Sequence, residues 1–525
     1  MRNETRLSRW TLYSWALIFL LTLFQVMQWT LLPRFLDIYY HLSVMKGFED
    51  AGGYVTRAFW EYAPEGRPHL YPPLLHVWMW MLYKLGLGPI SVGRLVDCVS
   101  FPALLATWYF VVSRLAAPRP AFWALVLFSS AYSAVLAAVT LSAFNLAFIF
   151  GLLALFEAER NGPRRAALLL GLCFYTHTLA AFLFLFAMAL NAAFAPGKRT
   201  VYLRAALAGA VLGLPILAYQ FRFREYFAFV NVKENDQLEL DLAIYALLAL
   251  SLFGWKVRQR PGRPATETSA GRRWALCLWL GMLPLIGTHQ VRFFSGHGLA
   301  GTALLAALAL DDLSQRFKKG ARRAMLLSVF LILFLAFFSP HFKWDFQTGR
   351  KDLVWADRTL TRHLWLEGAR NFRSNAFSIY FQEPYEEIAS VIRENSEPDD
   401  ILWTDFSYTA GILGTMAGRV TSSAMLAETK PFEQTDRLSD ARILVWFRDR
   451  EGKALPEMWP SAQRRGLKLL KETDMAYIFQ NPKGYRKRQF PRPLVPSGLL
   501  WLLGALSLVI PASVFMPGPT RFPPL

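Results

Sequence analysis

Apolar runs of roughly 17 to 25 residues recur along the chain between short polar loops, and runs of that length suit membrane-crossing helices. They cover 10–32, 71–86, 95–113, 120–138, 141–158, 165–180, 181–196, 202–219, 241–255, 274–290, 297–313, 323–340 and 495–516. The pattern predicts a polytopic α-helical membrane protein of about 12–14 spans. One long hydrophilic stretch, 341–494, interrupts it. There, residues 385–395 have helical period, while 400–404, 441–447 and the end of 467–479 read as strands, so a small α/β domain is expected. The expected organisation is a transmembrane catalytic module over 1–340 with an outer loop at 33–70, an extracytoplasmic α/β domain over 341–494, and a C-terminal transmembrane helix and tail over 495–525.

Composition agrees with a membrane protein. Of 525 residues, 54% are hydrophobic and 15% aromatic, and mean hydropathy is +0.26, above what a soluble chain carries. The net charge of +19 does not point to nucleic acid, because the basic residues crowd into loops. These clusters are Arg160, Arg164 and Arg165; Lys198 and Arg199; Lys256 to Arg273; and Arg316 to Arg323. Such clusters mark cytoplasmic loops. Arg2, Arg6 and Arg9 before the first run, with no small-residue cleavage site after it, predict an uncleaved signal anchor with its N-terminus inside.

Alternation of spans puts the four basic clusters on one side, with a hairpin at 165–196, and the loop at Arg114 and Arg119 is expected to share that side. A forward count places three spans before Arg114. Either a segment between 71 and 113 is re-entrant, or a run between 120 and 158 divides differently. Cys98, Cys173 and Cys277 lie in or beside apolar runs without metal-ligand spacing, so no disulfide framework is implied.

The candidate chemistry gathers in polar segments between spans. Asp37 follows the first span and His41 is four residues on, one face of a helix if the segment is helical. A carboxylate there serves as a general base, or with His41 holds a divalent cation such as Mg or Mn; equally, it serves as a helix N-cap. Tyr40, Arg67, His69, Tyr71 and His76 cluster around Pro72-Pro73 more densely than interfacial anchoring needs. In 288–297, Arg292 is flanked by His289 and His297 in a short loop opposite the basic clusters, and a guanidinium suits a lipid phosphate. His177 is a polar island at the turn of the 165–196 hairpin, where it must face protein or water. The segment 221–241 reads as a solvated connector. No P-loop, HExxH or GxSxG signature is present, which leaves ATP-driven transport, intramembrane proteolysis and esterase chemistry without support.

Asp37-Ile-Tyr-Tyr-His41, the Pro-Pro re-entry, the late outer Arg292 and the hydrophilic stretch before the last span together resemble the GT-C superfamily of integral-membrane glycosyltransferases. The first-loop motif is most similar to that of oligosaccharyltransferase catalytic subunits, archaeal ones above all. The resemblance implies a GT-C-like fold and transfer of a sugar from a polyprenyl-phosphate or -pyrophosphate donor to a glycan, lipid or protein acceptor. The reaction would take place on the outer face of a prokaryotic plasma membrane. It also implies a catalytic role for Asp37, an accessory or metal-binding role for His41, and a donor-phosphate contact for Arg292; Tyr40, Arg67, His69, Tyr71, His177, His289 and His297 are the expected substrate-binding set. The Trp-Trp-Asp-Tyr-Gly motif of oligosaccharyltransferases is absent; the nearest segment is Trp403-Thr-Asp405-Phe. An Asp-x-Asp pair is absent too. The competing readings are a lipid-linked sugar flippase or carrier and an inactive scaffold. The first places charges near mid-bilayer, whereas here the spans are poor in ionisable residues and the candidate polar groups crowd the outer loops.

Overall fold

The structure, a computed structural model, describes residues 8–27, 29, 33, 36–130, 142–227, 237–241, 245, 248, 268–294, 296–316, 319–326, 341–346, 348–354, 382–425, 429–433, 437–448 and 453–516. The expected spans 241–255 and 323–340 lie largely outside the described residues.

Helices dominate the first part: α1 (Arg9–Met27), α2 (Leu36–Ala51), α3 (Leu74–Lys84), α4 (Pro89–Leu115), α5 (Pro118–Ser130), α6 (Ser142–Glu159), α7 (Pro163–Thr176), α8 (Thr178–Phe194), α9 (Arg199–Arg222), α10 (Thr268–Gly281), α11 (Gln290–Phe294) and α12 (Leu299–Arg316). Proline begins α4, α5 and α7, where its missing N–H costs nothing and its fixed φ suits the first turn. Among the described residues, five segments are long and apolar enough to cross a membrane: Arg9–Met27, Pro89–Leu115, Pro196–Arg222, Arg292–Asp312 and Ser497–Phe515. α9 packs closely on α7, because a Cβ at Gly209 or Gly213 would lie 2.7 Å from Leu170 or 2.6 Å from Phe174. Small residues bring membrane helices together in this way.

The mismatch in the forward count has a physical cause. α3 has 11 residues, about 16 Å of helix against a hydrocarbon core of about 30 Å. It enters the bundle without crossing it. Only α1 and α4 are then long enough to cross before Arg114, which returns that loop to the basic end.

Contacts confirm that the basic loops share an end. Glu159 pairs with Lys198 at 2.6 Å and Arg273 at 2.7 Å, Glu157 pairs with Arg160 at 3.1 Å, Arg119 pairs with Asp311, and Arg272 pairs with Asp312. These pairs hold the ends of α6, α8 and α12 and the starts of α5 and α10 together. The loop 53–66, His177 and the segment 288–298 lie at the other ends of the helices that follow or precede them.

The later part holds a mixed five-stranded sheet. Its strands are β7 (Ile401–Thr404), β8 (Val420–Thr421), β9 (Ile443–Phe447), β10 (Lys468–Glu472) and β11 (Ala476–Gln480), in the order β10-β11-β9-β7-β8. β7 runs parallel to β8 and β9, and the β9–β11–β10 pairings are antiparallel. Every residue of β9 is buried, as a central strand covered on both faces requires. Helices α13 (Gln382–Glu394), α14 (Ser407–Ala417), α15 (Arg437–Asp440) and α16 (Met458–Arg464) accompany the sheet, and α17 (Ser497–Phe515) follows it. The connector expected at 221–241 ends in a strand instead: β4 (Gln237–Asp241) pairs with β5 (His341–Asp345), which pairs with β6 (Lys351–Val354), all antiparallel.

The first polar loop is fastened to this later part. Its short strands are β1 (Gly53–Tyr54), β2 (Arg57–Ala58) and β3 (Arg67–Pro68). β2 pairs with β3, and β1 pairs with β12 (Val495–Pro496) just before α17. Thr421 N–H donates to the Trp60 carbonyl at 3.0 Å, Ala63 N–H to the Thr421 carbonyl at 2.9 Å, and Phe432 N–H to the Gly66 carbonyl at 3.0 Å. α2 packs on α14, with Ser43 Oγ 3.2 Å from Thr415 Oγ1.

Candidate functional site

α2 presents the acidic candidate. Asp37 occupies its first turn, half-buried, where a carboxylate is favoured by the helix dipole. His41 lies one turn on, 4% exposed, on the same face. Its Nδ1 is 2.8 Å from Nε2 of His76, which is fully buried in the first turns of α3. Burial pushes the His41 imidazole down to about 3, so the ring is neutral at ordinary pH.

A chain of ring contacts leads across the bundle. The His41 and Tyr71 centroids are 5.0 Å apart, Tyr71 and His177 6.1 Å, His177 and Phe144 5.0 Å, and Phe144 and His297 4.4 Å. The Arg292 guanidinium stands 5.9 Å from the Phe144 ring. His177 is the single extended residue between α7 and α8, and its Nδ1 accepts from Ala180 N–H, capping α8. His297 Nε2 is 2.8 Å from Asn145 Oδ1. Arg292 N–H donates to the His289 carbonyl at 3.0 Å. Six of the chain's eight histidines therefore gather at this end: His41, His69, His76, His177, His289 and His297. His41, Tyr71, His177 and Arg292 are joined by this path, and Asp37 lies one helical turn before its start.

Tyr40 and Arg67 have another place. Arg67 is 1% exposed; its guanidinium donates to Glu61 Oε1 at 2.8 Å, to the Pro68 carbonyl at 2.7 Å and to the Tyr40 hydroxyl at 2.9 Å. Burial pulls its proton affinity down, and the Glu61 carboxylate and Tyr40 outweigh that, leaving it raised. Arg67 forms a buried ion pair that fixes loop and helix. Glu61 Oε2 also accepts from Met425 N–H at 2.9 Å, tying the network to the later part. His69 is packed inside the same loop, with Nδ1 3.2 Å from the Val55 carbonyl. Burial first, and then the Arg67 charge, push it down to about 3.

Sequence reasoning missed Glu61, although a lone carboxylate in Phe59-Trp60-Glu61-Tyr62 had to find a cation if buried. It also missed the end of α9, where Tyr219 Oη donates to the Thr56 carbonyl at 2.6 Å and Gln220 Nε2 to the Leu70 carbonyl at 2.9 Å. Nothing in the local pattern marks those two. Among the described residues no three His, Cys, Asp or Glu side chains are placed to hold a metal, and of the two candidates Asp37 and His41 the second has its Nδ1 engaged by His76.

No protein-family model and no curated protein matches the chain. Solved structures do. ArnT from Cupriavidus metallidurans in the apo state aligns with a TM-score of 0.54 at 13% identity, over 90% of this chain and 99% of that one. The same protein bound to undecaprenyl phosphate aligns at 0.52 and 13%, with the same coverage. The oligosaccharyltransferase AglB from Archaeoglobus fulgidus, in complex with an inhibitory peptide and a dolichol-phosphate, aligns at 0.51 and 11%, over 90% of this chain and 74% of that one. At these identities the likeness concerns the fold alone, and with the five apolar helices it supports an integral membrane protein.

Proposed function

With the GT-C fold as premise, we propose that this protein transfers a sugar from a polyprenyl-phosphate or -pyrophosphate donor to an acceptor on the outer face of a prokaryotic plasma membrane. The observation that carries the reading is the contact path from the Asp37–His41 face of α2 to Arg292. By the positive-inside rule the end bearing Lys198, Arg160 and Arg273 is cytoplasmic, and the path lies at the other end. The undecaprenyl phosphate and dolichol-phosphate bound to the structural neighbours support the donor class.

The residues divide the work. Arg292 neutralises the donor phosphate, and a guanidinium is suited to this by its fixed charge and paired donors. Asp37 takes the proton from the acceptor hydroxyl as the oxygen attacks the sugar's anomeric carbon. The new C–O bond forms as the bond to phosphate breaks, and its electron pair leaves on the phosphate. General-base help of this kind is worth about 10²- to 10⁴-fold. His41, neutral and buried, is a weak proton sink but a competent hydrogen-bond acceptor. Tyr71 and His177 line the way between base and phosphate site.

The test is mass spectrometry of glycolipids and glycoproteins from cells with and without the gene. A sugar-bearing product that depends on the gene supports the reading. Unchanged products with altered sidedness of a lipid-linked sugar would replace it with a flippase.

A further inference from the structure

One face of α9 meets the lipid. Leu203, Leu207, Val211, Leu214, Ala218 and Phe221 follow one another at three- and four-residue intervals, and all six are exposed. From Leu203 to Phe221 this stripe rises about 27 Å, close to a hydrocarbon thickness of about 30 Å. Phe221, 69% exposed, therefore stands at the edge of the apolar layer, at the opposite end of α9 from Lys198 and the basic loops.

Two guanidiniums sit at that edge. Arg224 folds back over Phe221, 4.5 Å from the ring centroid, and its Nη1 donates to the Phe221 carbonyl at 3.1 Å. Arg222 ends α9 and lies 5.4 Å from the Phe223 ring. Both are exposed. Among the described residues neither forms an ion pair with a carboxylate, the neighbouring Glu225 included. Tyr219 and Gln220 fix the turn by donating to the Thr56 and Leu70 carbonyls. Cations at this end run against the charge bias of short loops, and a single hydrogen bond leaves most of the Arg224 donors unused. The group found at this depth beside a membrane helix that accepts paired bonds from a guanidinium is a lipid phosphate.

We propose that the end of α9 binds the phosphate of an anionic phospholipid, in the leaflet opposite the basic loops, through Arg224 and Arg222. The acyl chains lie along the Leu207–Phe221 stripe, and Phe221 backs the Arg224 guanidinium. A zwitterionic headgroup carries the same phosphate beside an ammonium that offsets it, so the site prefers net negative charge. Neither arginine belongs to the contact path from His41 to Arg292, so the site is independent of the transfer chemistry.

The test uses the full chain reconstituted in phosphatidylcholine vesicles. Cys98, Cys173 and Cys277 are buried, so a bimane label is directed to an exposed cysteine introduced on the stripe by Ala218→Cys. Phosphatidylglycerol and phosphatidylcholine bearing a nitroxide on the acyl chain are added in turn, and quenching gives their relative occupancy beside α9. Phosphatidylglycerol should be favoured about fivefold or more. Arg222→Gln with Arg224→Gln should bring the ratio close to one, and Arg224→Lys should keep part of it. A label at Leu207→Cys, toward the other end of α9, should keep its own ratio in the double variant. Inorganic phosphate at constant ionic strength should leave every ratio unchanged. A ratio close to one at residue 218 without the arginine substitutions overturns the proposal, even if those variants fail to fold. So does a preference that survives the double substitution, or one lost equally at residue 207, which assigns it to overall charge. A preference abolished by inorganic phosphate replaces the lipid site with one for the free anion.

Discussion

Glu61 and Arg67 form an ion pair with N–O 2.6 Å at 0% and 1% side-chain exposure, and the same guanidinium holds the Tyr40 hydroxyl next to His41. Charges this deep are stable only when each has the other. Glu61→Ala leaves an uncompensated guanidinium and should destabilise the fold by about 3–5 kcal/mol. Replacing both, as Glu61→Met with Arg67→Met, should recover much of the loss. Thermal unfolding of the three purified variants measures this; equal melting of Glu61→Ala and wild type would contradict the pairing.

Acid should loosen the first loop. His41 and His69 are pushed down to about 3 by burial, while an unfolded histidine titrates near 6.5. Their contribution is present above about 6.5 and is lost as pH falls from there toward 3. At pH 5 each would cost roughly 2 kcal/mol. Melting temperature measured from pH 8 to pH 4.5 should fall, and His69→Gln should flatten part of that fall.

Asp405 acts in the other direction. Burial pushes its carboxyl up to about 6, although Phe447 N–H donates to it at 3.2 Å. An acid with a raised value gives stability at low pH that is lost as pH rises through about 6. Asp405→Asn should raise stability at pH 8 by roughly 1–3 kcal/mol. It should also make the acid loss of the whole chain steeper, because the opposing term is gone. Melting curves at pH 8 and pH 5 report both effects.

α2 meets the loop closely at Gly47. A Cβ there would lie 2.2 Å from Trp60 Cε3, and Trp60 is 2% exposed. Gly47→Ala should cost about 1–3 kcal/mol by overpacking and displace the helix that carries Asp37 and His41. Wild-type stability with wild-type product would show that the loop yields.

Much of the architecture was legible because span length is set by the bilayer and loop charge by topology. The hairpin centred on His177 follows from two apolar runs with basic residues at both outer ends. The strands Ile401–Thr404 and Ile443–Phe447 follow from short apolar runs. α3 was read as a span because composition does not reveal how few of residues 71–86 are helical. β4 was not legible, since its partner His341–Asp345 is 100 residues away. In the site, proximity of Asp37 and His41 was written in their spacing. The burial of Arg67 was not, because it depends on Glu61 and on Met425, which the chain brings in from the later part. The pairing of His41 with His76 likewise needed the angle between α2 and α3.

The central claim is that Asp37 removes a proton during sugar transfer. Glycolipids and glycoproteins should be compared by mass spectrometry in cells lacking the gene and complemented with wild type, Asp37→Ala or Asp37→Asn, each shown to insert at equal level. The account predicts a sugar-bearing product with wild type and a loss of about 10²-fold or more with either variant. Full product from Asp37→Ala would contradict it.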